Sequence, residues 1–242
     1  MRDDPCIVRL PNTVTILLLV AAAFGFASVW DPRIGLPGLA IALLAMAGLL
    51  LWERFDVRAA SQRWLARAVR PIVLHPPFEG SWRVAAGGPN PRFNHHQAVS
   101  DQFFAYDFLR IDSDTWGSAI LAPCDGLIVH VEDRQPDAPP GEKHHDHAHP
   151  FGNYISIETS RGYVILAHLQ QGSVTARVGD TVSTGELIGR CGNSGNTRAA
   201  HLHIHAQSLP SQAVASAEGV PIAFLGHGAR DPMLLEYGDT LA

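Results

Sequence analysis

The chain has 242 residues, 46% apolar and 17% charged, and its net charge is −5. That balance excludes a disordered or coiled-coil chain, and three Cys exclude a small scaffold stapled by disulfides. Charge is split along the chain: residues 1–70 hold eight Arg and five acidic residues, net +3, while residues 71–242 hold nine Arg, Lys143 and eighteen acidic residues, net −8, which argues against nucleic acid as a partner.

Two charge-free apolar runs open the chain, at 13–30 and 34–52. Each is close to the ~20 residues a helix needs to cross a ~30 Å hydrocarbon layer. Asp31, Pro32 and Arg33 separate them, and Trp30 and Trp52 stand at run ends, where interfacial aromatics belong. Residues 1–52 therefore read as a transmembrane helical hairpin with the lipid bilayer as partner. A cleaved signal peptide is the rival reading of the first run. Arg2 and Arg9 precede the hairpin, five Arg between 54 and 70 follow it, and only Arg33 lies in the turn. This places both ends, and the large domain, in the cytoplasm. Residues 53–70 read as a juxtamembrane amphipathic helix, with Val57, Trp64, Leu65 and Val69 on one side, or as a linker helix.

From residue 71 short apolar stretches alternate with Gly, Pro, Asn and Asp clusters every 8–12 residues, the pattern of an antiparallel β-sandwich or barrel. The expected fold class is all-β over 71–242, preceded by the helical hairpin. The tract from Lys143 to His149 holds four of the thirteen His. It reads as a solvated loop near a site mouth, or as a metal-binding tract.

Three features carry chemistry. His201, His203 and His205 alternate with Leu202 and Ile204, so on a strand the imidazoles share one face. His168 ends the apolar stretch 164–169, as a rim or core histidine or as a working one. Asp107 stands inside the aromatic run 103–108. A carboxylate buried there unpaired costs several kcal/mol, so it reads as a metal ligand or as half of a buried ion pair. Two His and one Asp suit a zinc ion with an open fourth position. A helical HExxH site, a GxSxG elbow and a phosphate-cradling P-loop are all missing from the sequence.

The stretches 122–126, 152–155, 166–169, 178–189 and 192–197, followed by His201-Leu202-His203, resemble the lysostaphin-type (LytM-like) zinc endopeptidases of cell-wall hydrolysis. Their order and gaps match over residues 76–210, about 55% of the chain. The resemblance implies that His203 and Asp107 bind Zn2+, and that His168 and His201 are the catalytic imidazoles. The family's remaining His ligand lies four residues before the Asp, where this chain has Phe103. The form Asn94-His95-His96 followed by QxxAxDF resembles a divergent branch and points to His96, with His95 as the alternative. Ala200 replaces the usual Pro before HLH. The implied activity is a membrane-anchored zinc metallopeptidase hydrolysing peptide bonds in peptidoglycan cross-links or stem peptides. The alternative is a catalytically inactive member acting as a cell-wall binding or activator module. The expected location is the inner membrane. The Arg distribution favours a cytoplasmic domain, and the resemblance favours a periplasmic one.

Overall fold

The computed structural model describes residues 31–139, 144–210, 217–226 and 228–242, together with Ala22 and Phe26. Apart from those two residues, the first apolar run lies outside the described residues. The chain divides into two compact units, Met1–Gln62 and Arg63–Ala242.

One α-helix, α1, runs unbroken over Pro32–Arg67. Within this helix the second apolar run passes into turns bearing Arg54, Arg58, Arg63 and Arg67. Among the described residues no helix is long and apolar enough to cross a membrane. The expected transmembrane hairpin is therefore not found among them.

The end of α1 belongs to the second unit. Trp64 is fully buried with Ala68 and Phe104. Its ring lies 5.2 Å from that of Phe104, and its Nε1 donates to the Phe103 carbonyl at 3.1 Å. The Arg67 guanidinium lies over the Phe103 ring at 4.2 Å. Leu65 and Val69, expected on the same side as Trp64, are exposed. A Trp with its indole N–H satisfied is an expensive side chain to remove. Trp64→Ala is expected to cost about 3–5 kcal/mol, read as a lowered urea midpoint of the full chain. A midpoint unchanged within error would deny the indole this anchoring role.

The rest of the unit is β-rich, as expected. Its main sheet joins nine described strands, all paired antiparallel. At its centre Leu202–Gln207 lies between Tyr106–Arg110 and Gly162–Leu169. Asn153–Thr159 and Gly126–Glu132 follow on one side, and Trp82–Ala86 on the other. Ile72–Leu74 and Ile222–Phe224 pair in parallel as a separate two-stranded ladder.

Alternation sorts the central strand. Leu202, Ile204 and Ala206 face the main core with Tyr106, Phe108, Val164, Leu166 and Phe224. The opposite face of the sheet carries a smaller cluster of Phe151, Tyr154, Ile165 and Ala167. His203 and His205 sit beside it, with ring centroids 6.2 and 5.2 Å from Phe151. Cys124 and Cys191 are free thiols. Burial raises both, Cys124 to about 11, so neither is a ready nucleophile.

Candidate active site

Register brings distant residues together. His203 pairs directly with Asp107 on one side and with Ala167 on the other. The result is a cluster of imidazoles around one buried carboxylate. His203 Nδ1 is 2.9 Å from Asp107 Oδ1, His96 Nε2 is 3.1 Å from Asp107 Oδ2, and His201 Nε2 is 3.5 Å from Asp107 Oδ1.

His96 arrives on a short 3₁₀ turn, His95–Ala98. Asn94 caps the turn. Its Oδ1 accepts from the His96 backbone N–H at 3.2 Å, and its Nδ2 donates to the Gly88 carbonyl at 2.7 Å. The turn explains why the His and the Asp need not be four residues apart. A 3₁₀ turn and the loop after it bring His96 to the Asp107 strand from outside the sheet. His95 is exposed and its ring lies 4.0 Å from that of His96. Ligand atoms of His95, His96 and Asp107 all lie within 4.8 Å of one another, a possible His/His/Asp metal-binding group.

His168 reaches the site by breaking the sheet rule. Strict alternation would turn it to the core, because Ala167 already faces the site. Instead the ladder with Asn153–Thr159 shifts register at this point, with Asn153 opposite Leu169 and Tyr154 opposite Ala167. His168 is the extra residue of that bulge, and its φ is +61°. A left-handed backbone at a non-glycine residue is strained and persists where surrounding structure enforces it. Here the His168 N–H donates to the Phe151 carbonyl at 3.0 Å, and its carbonyl accepts from Gly192 N–H at 2.9 Å. The side chain thereby swings to within 4.6 Å of His201, ring to ring.

Backbone carbonyls orient both of these rings. His168 Nδ1 donates to Ser194 O at 2.8 Å, and His201 Nδ1 to Ala199 O at 2.8 Å. This leaves His168 Nε2 to accept a proton, while His201 Nε2 faces Asp107 Oδ1 at 3.5 Å. The loop that supplies Ser194 O is built on close backbone approach. A Cβ at Gly195, whose φ is +82°, would stand 2.4 Å from Gly152 N, so only glycine fits.

Charge in the site follows burial and the carboxylate. Burial opposes ionisation of Asp107, but His96 and His201 outweigh it and hold the carboxyl well below its usual range. Burial pushes His168 down to about 3, with His201 adding to the shift. Burial likewise opposes charge on His201, but Asp107 reverses it and raises that imidazole. His203 is driven well below its usual value, by burial first.

The donor set fits a divalent cation. His96 Nε2 is buried near a carboxylate oxygen yet has no hydrogen bond. A buried polar atom left so costs about 1–3 kcal/mol, and a cation between ring and carboxylate removes the cost. Imidazole and carboxylate are ligands of zinc-type sites.

The residues singled out from sequence, His96, Asp107, His168, His201 and His203, all converge here. Three contributors were not singled out: Asn94, Ser194 and Gln207. Gln207 continues the alternation of 201, 203 and 205 by one more step, and that periodicity was a usable signal. The histidine tract lies at the rim. His144–His145 pairs antiparallel with Asn196–Thr197. The Thr197 hydroxyl is 3.2 Å from His201 Nδ1, and His145, His147 and His149 are exposed.

Residues 109–216 match the model of Peptidase family M23. The match takes in His168, His201 and His203. His96 and Asp107 precede it and join the site through the turn and the strand pairing. A Pseudomonas aeruginosa protein solved as a candidate M23 peptidase is 16% identical, with 62% of this chain and 57% of that one covered and a TM-score of 0.37. This chain thus spans little more than half the length of that protein. The catalytic domain of EnpA, a prophage-encoded M23 protein of Enterococcus faecalis solved as a point mutant, is 18% identical, with 60% and 92% covered and a TM-score of 0.40. Lysostaphin of Staphylococcus simulans is 24% identical, with 48% and 40% covered and a TM-score of 0.33. No curated protein matches the sequence. The likeness to peptidase family M23 thus rests on residues 109–216, 108 of the chain's 242 residues.

Proposed function

We propose that this chain is a zinc-dependent peptidase that hydrolyses peptide bonds of peptidoglycan, in cross-links or stem peptides. The observation that carries the reading is the convergence of His96 Nε2 and His203 Nδ1 on the Asp107 carboxylate, at 3.1 and 2.9 Å, with two further imidazoles alongside. His96, Asp107 and His203 would hold the ion. The family match supports the peptidase class.

A zinc ion held by three such groups supplies Lewis-acid polarisation and activates water near neutral pH. The chain's own residues do the rest. His168 and His201 each present an Nε2 whose orientation is set by a carbonyl behind Nδ1. One can take a proton from the attacking water, and the other can hold a proton against developing charge or deliver it to the leaving amine. Phe151, Ile165 and Ala167 form a buried apolar cluster beside the ligand rings, with Phe151 6.2 Å from His203.

The inner membrane is part of the same reading, and its support is the charge-free runs 13–30 and 34–52. A reporter fused after Ala242 decides the side of the membrane.

The test is metal analysis of the full chain combined with digestion of purified sacculi. One zinc per chain is expected, together with release of soluble muropeptides, and both should be lost in His203→Ala. Zinc without release would favour a binding or activator module, and neither zinc nor release would overturn the proposal.

A further inference from the structure

The row of side chains behind His203 has no part in the chemistry described above. His203 Nε2 lies 2.9 Å from His205 Nδ1, His205 Nε2 lies 3.0 Å from Gln207 Oε1, and Gln207 Nε2 donates to the Leu209 carbonyl at 2.6 Å. These side chains stand at every second residue of one strand, on one face, and residues 205 and 207 are 0% exposed.

Burial gives the row a direction. A carbonyl only accepts, so the Gln207 amide nitrogen must face Leu209 O, and Gln207 Oε1 must face His205. Oε1 only accepts, so His205 Nε2 carries a hydrogen. A neutral imidazole has one N–H, so His205 Nδ1 carries a lone pair. That lone pair needs a donor, and the atom in reach is His203 Nε2. His203 therefore bears its hydrogen on Nε2 and is bare at Nδ1, the atom that faces Asp107 Oδ1 at 2.9 Å. Two acceptors left facing each other in a buried place are a cation site.

We propose that His205 and Gln207 are positioning residues, a buried relay that holds His203 in its Nε2–H tautomer and keeps the Nδ1 lone pair for a metal ion. The inference rests on the metal-site reading above and deepens it. Without the relay, the carboxylate pulls the His203 hydrogen onto Nδ1, because Nδ1–H to Asp107 Oδ1 is the stronger, charge-assisted bond. The metal must then displace a proton in order to bind. Partners behind a metal-bound imidazole act in this way, and their loss costs about 10- to 100-fold in metal affinity. The Phe151 ring packs edge-on against His205 at 5.2 Å.

The experiment has two readouts on the full chain. The first is the tautomer of His203 in metal-free, 15N-histidine-labelled protein, from long-range proton–nitrogen correlations. The second is zinc affinity by chelator competition. The wild type should show His203 as the Nε2–H form. His205→Leu should shift it to Nδ1–H and weaken zinc about 10- to 100-fold. Gln207→Leu should do the same more mildly, and Gln207→Glu, which keeps an acceptor for His205, should return both readouts close to wild type. An Nδ1–H His203 in the wild type overturns the relay and needs no variant to fold. Unchanged zinc affinity in His205→Leu also overturns it. If the wild type binds no zinc, the proposed function fails while the tautomer spectra still decide the relay.

Discussion

Asp107→Asn is expected to strip the chain of zinc and of hydrolytic activity together. The substitution preserves shape and removes the one negative charge at the centre of the cluster. The carboxylate is buried, paired in register with His203, and within 3.5 Å of nitrogens from His96, His201 and His203. With the amide in place, His96 and His203 are two neutral ligands, and the charge of a divalent ion is uncompensated in a buried site. Zinc affinity should fall by more than the about 100-fold that follows loss of a partner behind a ligand. A metal contributes several kcal/mol to transition-state stabilisation. At about 1.36 kcal/mol per decade, release of muropeptides should fall by about 10³-fold or more. Metal analysis and sacculus digestion on one preparation read both effects. Zinc retained at wild-type affinity by Asp107→Asn would remove this residue from the ligand set.

His168→Gly is expected to separate catalysis from metal binding. The ring contributes no contact to Asp107 within ion-pair distance, and its Nε2 is the free nitrogen beside His201. Removing a general acid or base costs about 10²- to 10⁴-fold in turnover. Zinc stoichiometry should stay at one per chain. Stability should not fall either, because the backbone at φ +61° suits glycine better than histidine. An inactive, zinc-loaded protein with an undiminished thermal midpoint is the expected result. If zinc is lost as well, or if turnover is unchanged, His168 is not the proton-handling group.

Much of this site is legible in the sequence because strand periodicity is local. The alternation from residue 201 to 205 places three imidazoles on one face whatever that strand packs against. Asp107 in an aromatic run requires a partner wherever it is buried. Ligand identity is less legible. His96 lies outside the expected spacing, and its turn is stabilised by Asn94 and the Gly88 carbonyl, a bond between residues whose proximity no spacing reveals. Trp64 read as part of the apolar side of a juxtamembrane or linker helix, yet the partners that bury it, Phe103 and Phe104, lie some forty residues on.

The sequence by itself determined the β-rich domain, the shared face of the histidine row and the need for a counter-charge at residue 107. These follow from the two-residue period of a strand and from the cost of burying a carboxylate, both properties of a short stretch of chain. The tertiary structure alone decided which nitrogen of each ring meets which neighbour, that His168 turns to the site through a bulge, and that Gln207 polarises the row. Those outcomes depend on strand register and on carbonyls delivered by remote loops. A hydrogen bond is sensitive to a few tenths of an ångström, a distance that only the packed sheet sets.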